Sequence, residues 1–293
     1  MVTILNDSIK FFSKAKSFIA LTKPKLSALL LLTAIVEALS VYKGDAENTK
    51  TFGVLTLSVL LSCMGTNAIT CYLDREMDSV MSRTKSRPLP KGEVSAIEAL
   101  IFGVVLLLSG LLLAATINPY VLFWGIIGAV FVISYNYRLK TRTPYNILIA
   151  SPGGAAPVLG AYSAMTGELI AFQPLILALL IIFWTPVHIW SLALFYKEDY
   201  RKAGVPMLPV LRNKETVLRV IMLFMALYIA DTFAAFLMLE PTWLSLFMIG
   251  LLNYPLVKLL FNAQTDHYRL FRLSSPHLGA VFMMYLLLSV FMG

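Results

Sequence analysis

Asn67 to Gly92 read NAITCYLDREMDSVMSRTKSRPLPKG. An apolar run closes on paired acids, then a string of bases, then two prolines. Asp74 and Asp78 stand four residues apart, so on a helix they share one face about a turn (~5–6 Å) apart. Asn67 and Cys71 extend that stripe at spacings of 4, 3 and 4. A helix apolar along its body and charged only at this end meets water here and hydrocarbon above. The stretch therefore reads as the edge of a membrane span.

Composition agrees. Of the 293 residues 58% are hydrophobic and 14% charged, with mean hydropathy +0.78. A soluble domain would carry roughly 25% charged residues. The chain reads as an all-α integral membrane protein, and because a bundle of spans packs as one unit, residues 1–293 read as a single domain. The net charge of +8 can signal nucleic acid, but the bases sit between hydrophobic segments. No helix-turn-helix, zinc-finger or RNA-binding motif is visible, so the charge reads as positive-inside topology and contact with anionic headgroups or substrates of a lipid bilayer. Cys63 and Cys71 lie about 12 Å apart on one helix, too far for a disulfide.

A span needs about 20 apolar residues. Nine candidates fall near 25–42, 52–72, 96–116, 119–136, 144–165, 170–195, 216–238, 242–261 and 276–292. The third and fourth form a tight hairpin at Thr116 to Pro119. The fifth, rich in Gly, Ala and Pro, should face protein rather than lipid. With the N-terminus in the cytoplasm, only Lys43 and Lys50 of the 24 Lys and Arg fall outside, and the C-terminus lies outside. The first segment lacks a cleavage signal, so the first span is expected to act as an uncleaved anchor in the cell (plasma) membrane.

The loops after the second and sixth spans echo each other. Each runs acid, bases, two prolines: Asp74, Arg83, Pro88 and Pro90; then Asp199, Arg201, Lys202, Pro206 and Pro209. Asn67 precedes Asp78 by eleven residues, as His188 precedes Asp199, so each pair should face one way on its helix.

Two carboxylates at a membrane edge suit magnesium, which takes oxygen ligands and usually one or two carboxylates plus substrate phosphates. Arg83, Lys85, Arg87 and Lys91 are either positive-inside anchors or partners for a leaving diphosphate; both roles are compatible. Asp74 and Asp78 read as the metal ligands. Glu198 and Asp199 close the sixth span and could hold a second metal or orient an acceptor, with Lys197 and Lys202 adding phosphate or carboxylate contacts. His188, inside an apolar helix, is either a packed bundle residue or a contact for a bulky acceptor. His267 and His277 fall in or beside the last loop, without a role. Asn146 either reaches the same site or caps the fifth span. Glu37 and Asp231 read as structural.

Asp74-Arg-Glu-Met-Asp78 followed by SRTKSRPLPKG resembles the intramembrane (UbiA-type) prenyltransferases, helical bundles with a DxxxD motif. LTKPK at 21–25, RTPYN at 142–146, HIWSLAL at 188–194 and YKEDYRKAGVPMLPV at 196–210 point to the haem-farnesylating branch. Relatives acting on quinone precursors typically carry a second DxxxD in the last stretch, and this chain does not. The family usually places Asn four residues before the first Asp; here Thr70 stands there, with Asn67 nearby. The resemblance implies farnesyl diphosphate on magnesium at Asp74 and Asp78. Arg83, Lys85, Arg87 and Lys202 would neutralise the leaving group on the cytoplasmic face. It implies haem B as acceptor, Arg142 and Lys197 at its propionates, and a downstream haem-modifying enzyme or terminal oxidase receiving the product. The competing readings are a prenyltransferase for a quinone or lipid precursor, and a non-enzymatic transporter.

Overall fold

The computed structural model describes residues 2–262 and 267–291. These are helical: α1 (Val2–Leu21), α2 (Pro24–Ser40), α3 (Ala46–Val80), α4 (Ala96–Ile117), α5 (Pro119–Ser134), a π-helical turn (Tyr135–Leu139), α6 (Asn146–Thr166), α7 (Phe172–Phe195), α8 (Lys197–Lys202), α9 (Leu208–Leu211), α10 (Lys214–Phe236), α11 (Thr242–Asn262) and α12 (His267–Phe291). No strand occurs among the described residues.

Among the described residues, eight helices are long and apolar enough to cross a membrane, and α1 with α2 forms a further pair bent by 52°. Each expected span overlaps a described helix, the first of them α2 of the bent pair; residue 292 of the last expected span lies outside the described residues. The last begins earlier than expected: α12 runs from His267 through Pro276, so His267 is helical as well as His277, which the expected span already included. The α4–α5 hairpin is as tight as its sequence implies. Asn118 links the two helices, its Oδ1 accepting from the Val121 amide while Nδ2 donates to the Ser163 carbonyl at 2.8 Å.

Helix ends follow local chemistry. Asp45 caps α3 through the Asn48 amide at 2.7 Å, and Ser95 with Glu98 forms a reciprocal capping box on α4. Glycine lets α3 and α4 touch backbone to backbone: a Cβ on Gly65 would strike the Leu107 amide and Gly103 carbonyl, and one on Gly110 would strike Ser62. α6 is the interior helix, with 67% of its most apolar window buried. The main core joins α7, α10 and α12 through Trp190, Ile221, Met225 and Phe282.

The second charged loop departs from expectation. α7 ends at Phe195, and α8 begins at Lys197 after a break at Tyr196. His188 and Asp199 therefore do not share one continuous helical face. The equivalent pair Asn67 and Asp78 does, because α3 runs unbroken to Val80.

Candidate active site

α3 carries its acids into the protein. Asp74 is 4% and Asp78 5% exposed, burial that carboxylates tolerate only when paired or metal-bound. Lys140 Nζ donates to Asp74 Oδ2 at 2.7 Å. Arg87 Nη1 donates to Asp78 Oδ2 at 2.7 Å. The remaining Asp74 oxygen, Oδ1, is buried without a partner. One turn deeper, Lys23 Nζ donates to Thr70 Oγ1 at 2.7 Å, and that hydroxyl donates to the Asn67 carbonyl at 2.8 Å.

Each cation is delivered by a local device. Arg87 returns to the helix it has just left because residues 81–92 fold into successive turns, with Lys85 N on Met81 O and Arg87 N on Thr84 O. Buried Thr84 pins the first turn through the Asp78 carbonyl at 3.1 Å. Lys140 follows the π-helical turn, a feature that recurs at functional sites. Asn146 Nδ2 fixes the Lys140 carbonyl at 3.1 Å. Lys23 has φ 48° and is the one non-glycine residue with positive φ among those described, at about 1–2 kcal/mol for a left-handed L-residue. Such strain persists only where surroundings impose it. A groove continues from Asn67 along the same α3 stripe, past Cys63, Val59 and Leu55, walled opposite by Gly153 and Gly160 of α6.

The UbiA prenyltransferase family signature matches residues 29–288. The chain belongs to the UbiA prenyltransferase family. Protoheme IX farnesyltransferase from Korarchaeum cryptofilum is 35% identical over 93% of this chain and 94% of its own length. The protein of that name from Desulforudis audaxviator is 34% identical over 93% and 88%. Among solved structures, a digeranylgeranylglyceryl phosphate synthase superposes with a TM-score of 0.73 at 20% identity, covering 95% of this chain and 99% of that one. A UbiA homologue from Archaeoglobus fulgidus bound to DMAPP and Mg2+ gives 0.66 at 18% identity, covering 91% and 99%. At these identities the structures establish a shared UbiA fold.

Set on that UbiA fold, the remaining residues singled out by sequence divide into two groups. The structure draws Asp199 to the first loop: its Oδ2 accepts from Ser82 Oγ at 2.6 Å and the Arg83 amide at 3.3 Å. Arg83 lies over the Tyr196 ring at 5.8 Å. Asn67 packs inward, donating to Ser27 Oγ at 3.0 Å. By contrast Lys85, Arg142 and Lys202 are exposed, and Glu198 pairs with Arg201. Lys197 is half-buried. Asn146 opens α6 but its side chain does not cap it. His188 is held by Ser274 of α12.

Two cations at the acids escaped the sequence reading: Lys140 and Lys23. Lys140 follows Tyr135–Leu139, whose π-turn has no sequence signature. Lys23 had a signal, a base directly before Pro24 at a span's start, where the proline bars its predecessor from the right-handed helical region.

The residues fit a magnesium ion. The donors are carboxylate oxygens on one face, with one buried oxygen unpartnered. No cluster of three or more His, Cys, Asp or Glu occurs among the described residues. Asp199 therefore stands outside the pair formed by Asp74 and Asp78, its carboxylate turned to Ser82 and Arg83. Two protein carboxylates, with phosphate oxygens completing the shell, is the usual magnesium arrangement. Burial lowers the Arg87 guanidinium, but the charge and hydrogen bond of Asp78 more than offset it and raise it above its ordinary value. Arg87 thus stays cationic.

Proposed function

We propose that this chain transfers a farnesyl group from farnesyl diphosphate to a vinyl group of haem B, giving haem O for terminal oxidase haem biosynthesis. The observation that carries the reading is the buried Asp74–Asp78 pair with Lys23, Arg87 and Lys140 around it, on the same helix whose stripe from Asn67 onward lines a mainly apolar groove. The acceptor comes from the two similar proteins named protoheme IX farnesyltransferase. The topology we adopt is nine spans with a cytoplasmic N-terminus and an external C-terminus, which puts the acid pair on the cytoplasmic face of the plasma membrane.

Asp74 and Asp78 would hold magnesium, which supplies charge neutralisation on the departing diphosphate. Lys140 and Arg87, now paired with those carboxylates, turn to the phosphate oxygens. Arg83, Lys85 and Lys202 line the cytoplasmic approach. The groove takes the prenyl chain and excludes water from the reacting carbon. The carbon–oxygen bond to the diphosphate breaks as the terminal vinyl carbon bonds to farnesyl C1. Water adds to the inner vinyl carbon and loses a proton, leaving a hydroxyethylfarnesyl substituent. Oriented cations around the leaving group form the largest catalytic contribution.

The test is incubation of purified protein with haem B, farnesyl diphosphate and magnesium, followed by chromatography of extracted haems. Haem O is expected. Folded protein that yields none, but prenylates a phenolic or lipid acceptor, would favour the quinone-type reading. Diphosphate binding without any turnover would favour a non-enzymatic role.

A further inference from the structure

The two histidines described inside the bundle are treated oppositely by the fold. His277 is buried and saturated: its Nδ1 meets the Tyr228 hydroxyl at 3.0 Å and its Nε2 the Leu252 carbonyl at 3.2 Å. That is a packing histidine. His188 is held between aromatic rings, with its hydroxyl contacts on Nδ1. Its imidazole stacks on Trp184 and on Phe271, each with centroids 4.6 Å away. Its Nδ1 lies 2.8 Å from Ser274 Oγ, with the Ser275 hydroxyl farther off at 3.4 Å.

The tautomer follows from the next bond. Ser274 Oγ donates its single proton to the Phe271 carbonyl at 2.9 Å. The arrangement in which each of these contacts has its own proton is Nδ1–H to Ser274 Oγ and Ser274 Oγ–H to the Phe271 carbonyl, which leaves the in-plane lone pair on Nε2. Both hydroxyl contacts, Ser274 and Ser275, fall on Nδ1, and the Phe271 backbone is a further hydrogen-bond partner of the ring. A neutral imidazole clamped by rings and oriented at Nδ1 by a hydroxyl is the arrangement of a metal-ligating histidine with its outer-shell partner. The helix it sits on, α7, leads into the Tyr196 ring beneath Arg83, beside the diphosphate loop.

We propose that His188 Nε2 binds the iron of the haem substrate, with Ser274 as its positioning residue. This rests on the haem reading above. Iron ligation fixes the plane of a flat, otherwise rotatable acceptor, so that one vinyl group faces the prenyl carbon. No bond to iron forms or breaks in the transfer itself.

The test is a titration of detergent-solubilised full-length protein with ferric haem B, followed by absorbance. Wild type should show an imidazole-ligated Soret band. His188→Ala should lose it, with imidazole added to the buffer restoring it. His188→Gln, closer in volume, serves if the alanine variant fails to fold. Ser274→Ala should keep the ligated spectrum but weaken haem binding about 10- to 100-fold, as outer-shell losses do. Haem bound with the same spectrum in wild type and both His188 variants overturns the ligation while leaving the haem reading intact. Wild type that binds no haem, yet still binds farnesyl diphosphate, overturns both.

Discussion

Lys140 Nζ lies 2.7 Å from Asp74 Oδ2, with the lysine side chain 13% and the aspartate 6% exposed. The contact joins the end of α3 to the turn after α5. It neutralises a buried carboxylate whose other oxygen has no partner. In the proposed reaction a metal would take this carboxylate oxygen, and the displaced ammonium would turn to the substrate's phosphates. Lys140→Met should therefore lower kcat/KM for the prenyl diphosphate by about 10- to 100-fold, the equivalent of one charge-assisted hydrogen bond of ~1.5–3 kcal/mol. Steady-state kinetics at saturating acceptor checks this. An unchanged value would mean that the contact is purely structural.

Asp74→Asn and Asp78→Asn keep shape and remove charge. Each should cost at least about 10³-fold in turnover, because metal-assisted neutralisation is worth several kcal/mol. Folding should survive, since removing the acid leaves Lys140 or Arg87 able to turn towards water at the loop end of the bundle. Haem O yield and a thermal melt, measured together, check both halves. Near-normal yield from either variant would sink the magnesium assignment.

Much of this site was legible in the sequence because it is local. Asp74 and Asp78 are set by one helix and its period, and Arg87 by a loop only nine residues from Asp78. Lys140 was not legible: it reaches Asp74 from 66 residues away, through a π-turn that shifts its direction. Asp199 was half legible. Its loop was recognised as a counterpart of the first, but the helix break at Tyr196 and the contact with Ser82 are tertiary outcomes. Hydropathy located the spans, since twenty apolar residues leave little choice. It could not show that α12 continues through Pro276, because membrane helices tolerate proline when neighbours satisfy the freed backbone.

Lys23 permits a clean separation of strain from charge. Lys23→Gly and Lys23→Ala both remove the ammonium that contacts Thr70, but only glycine accepts φ 48° freely. Both should lose activity equally, by about tenfold or more for a charged hydrogen bond. The glycine variant should be the more stable by about 1 kcal/mol, the left-handed penalty less glycine's entropy cost. Thermal melts of the pair decide it. Equal melting would mean the backbone is not strained there.

Gly65 tests the α3–α4 contact. A methyl group there would meet Leu107 and Gly103 backbone, which cannot yield as a side chain would. Gly65→Ala should destabilise by about 1–3 kcal/mol through overpacking. Gly53 has open space around it, so Gly53→Ala should be neutral or mildly stabilising through helix propensity. Comparing their melting temperatures in the same detergent checks the direction.

Asp199 gives the pH dependence. Burial acts to raise its carboxyl, but hydrogen bonds from Ser82 and the Arg83 amide, with Lys202 nearby, more than offset this and hold it below the ordinary carboxylate range. A carboxyl depressed in the folded state stabilises at pH above its unfolded value of about 3.9 and loses that stabilisation as pH falls through the lower folded value. Between pH 5 and 8 the latch is thus fully charged. Asp199→Ala frees the Ser82–Arg83 turn and should reduce activity several-fold. The ratio of wild-type to variant activity should stay flat across that range. A ratio that changes with a midpoint inside it would show that Asp199 titrates there, and that the latch is weaker than its hydrogen bonds imply.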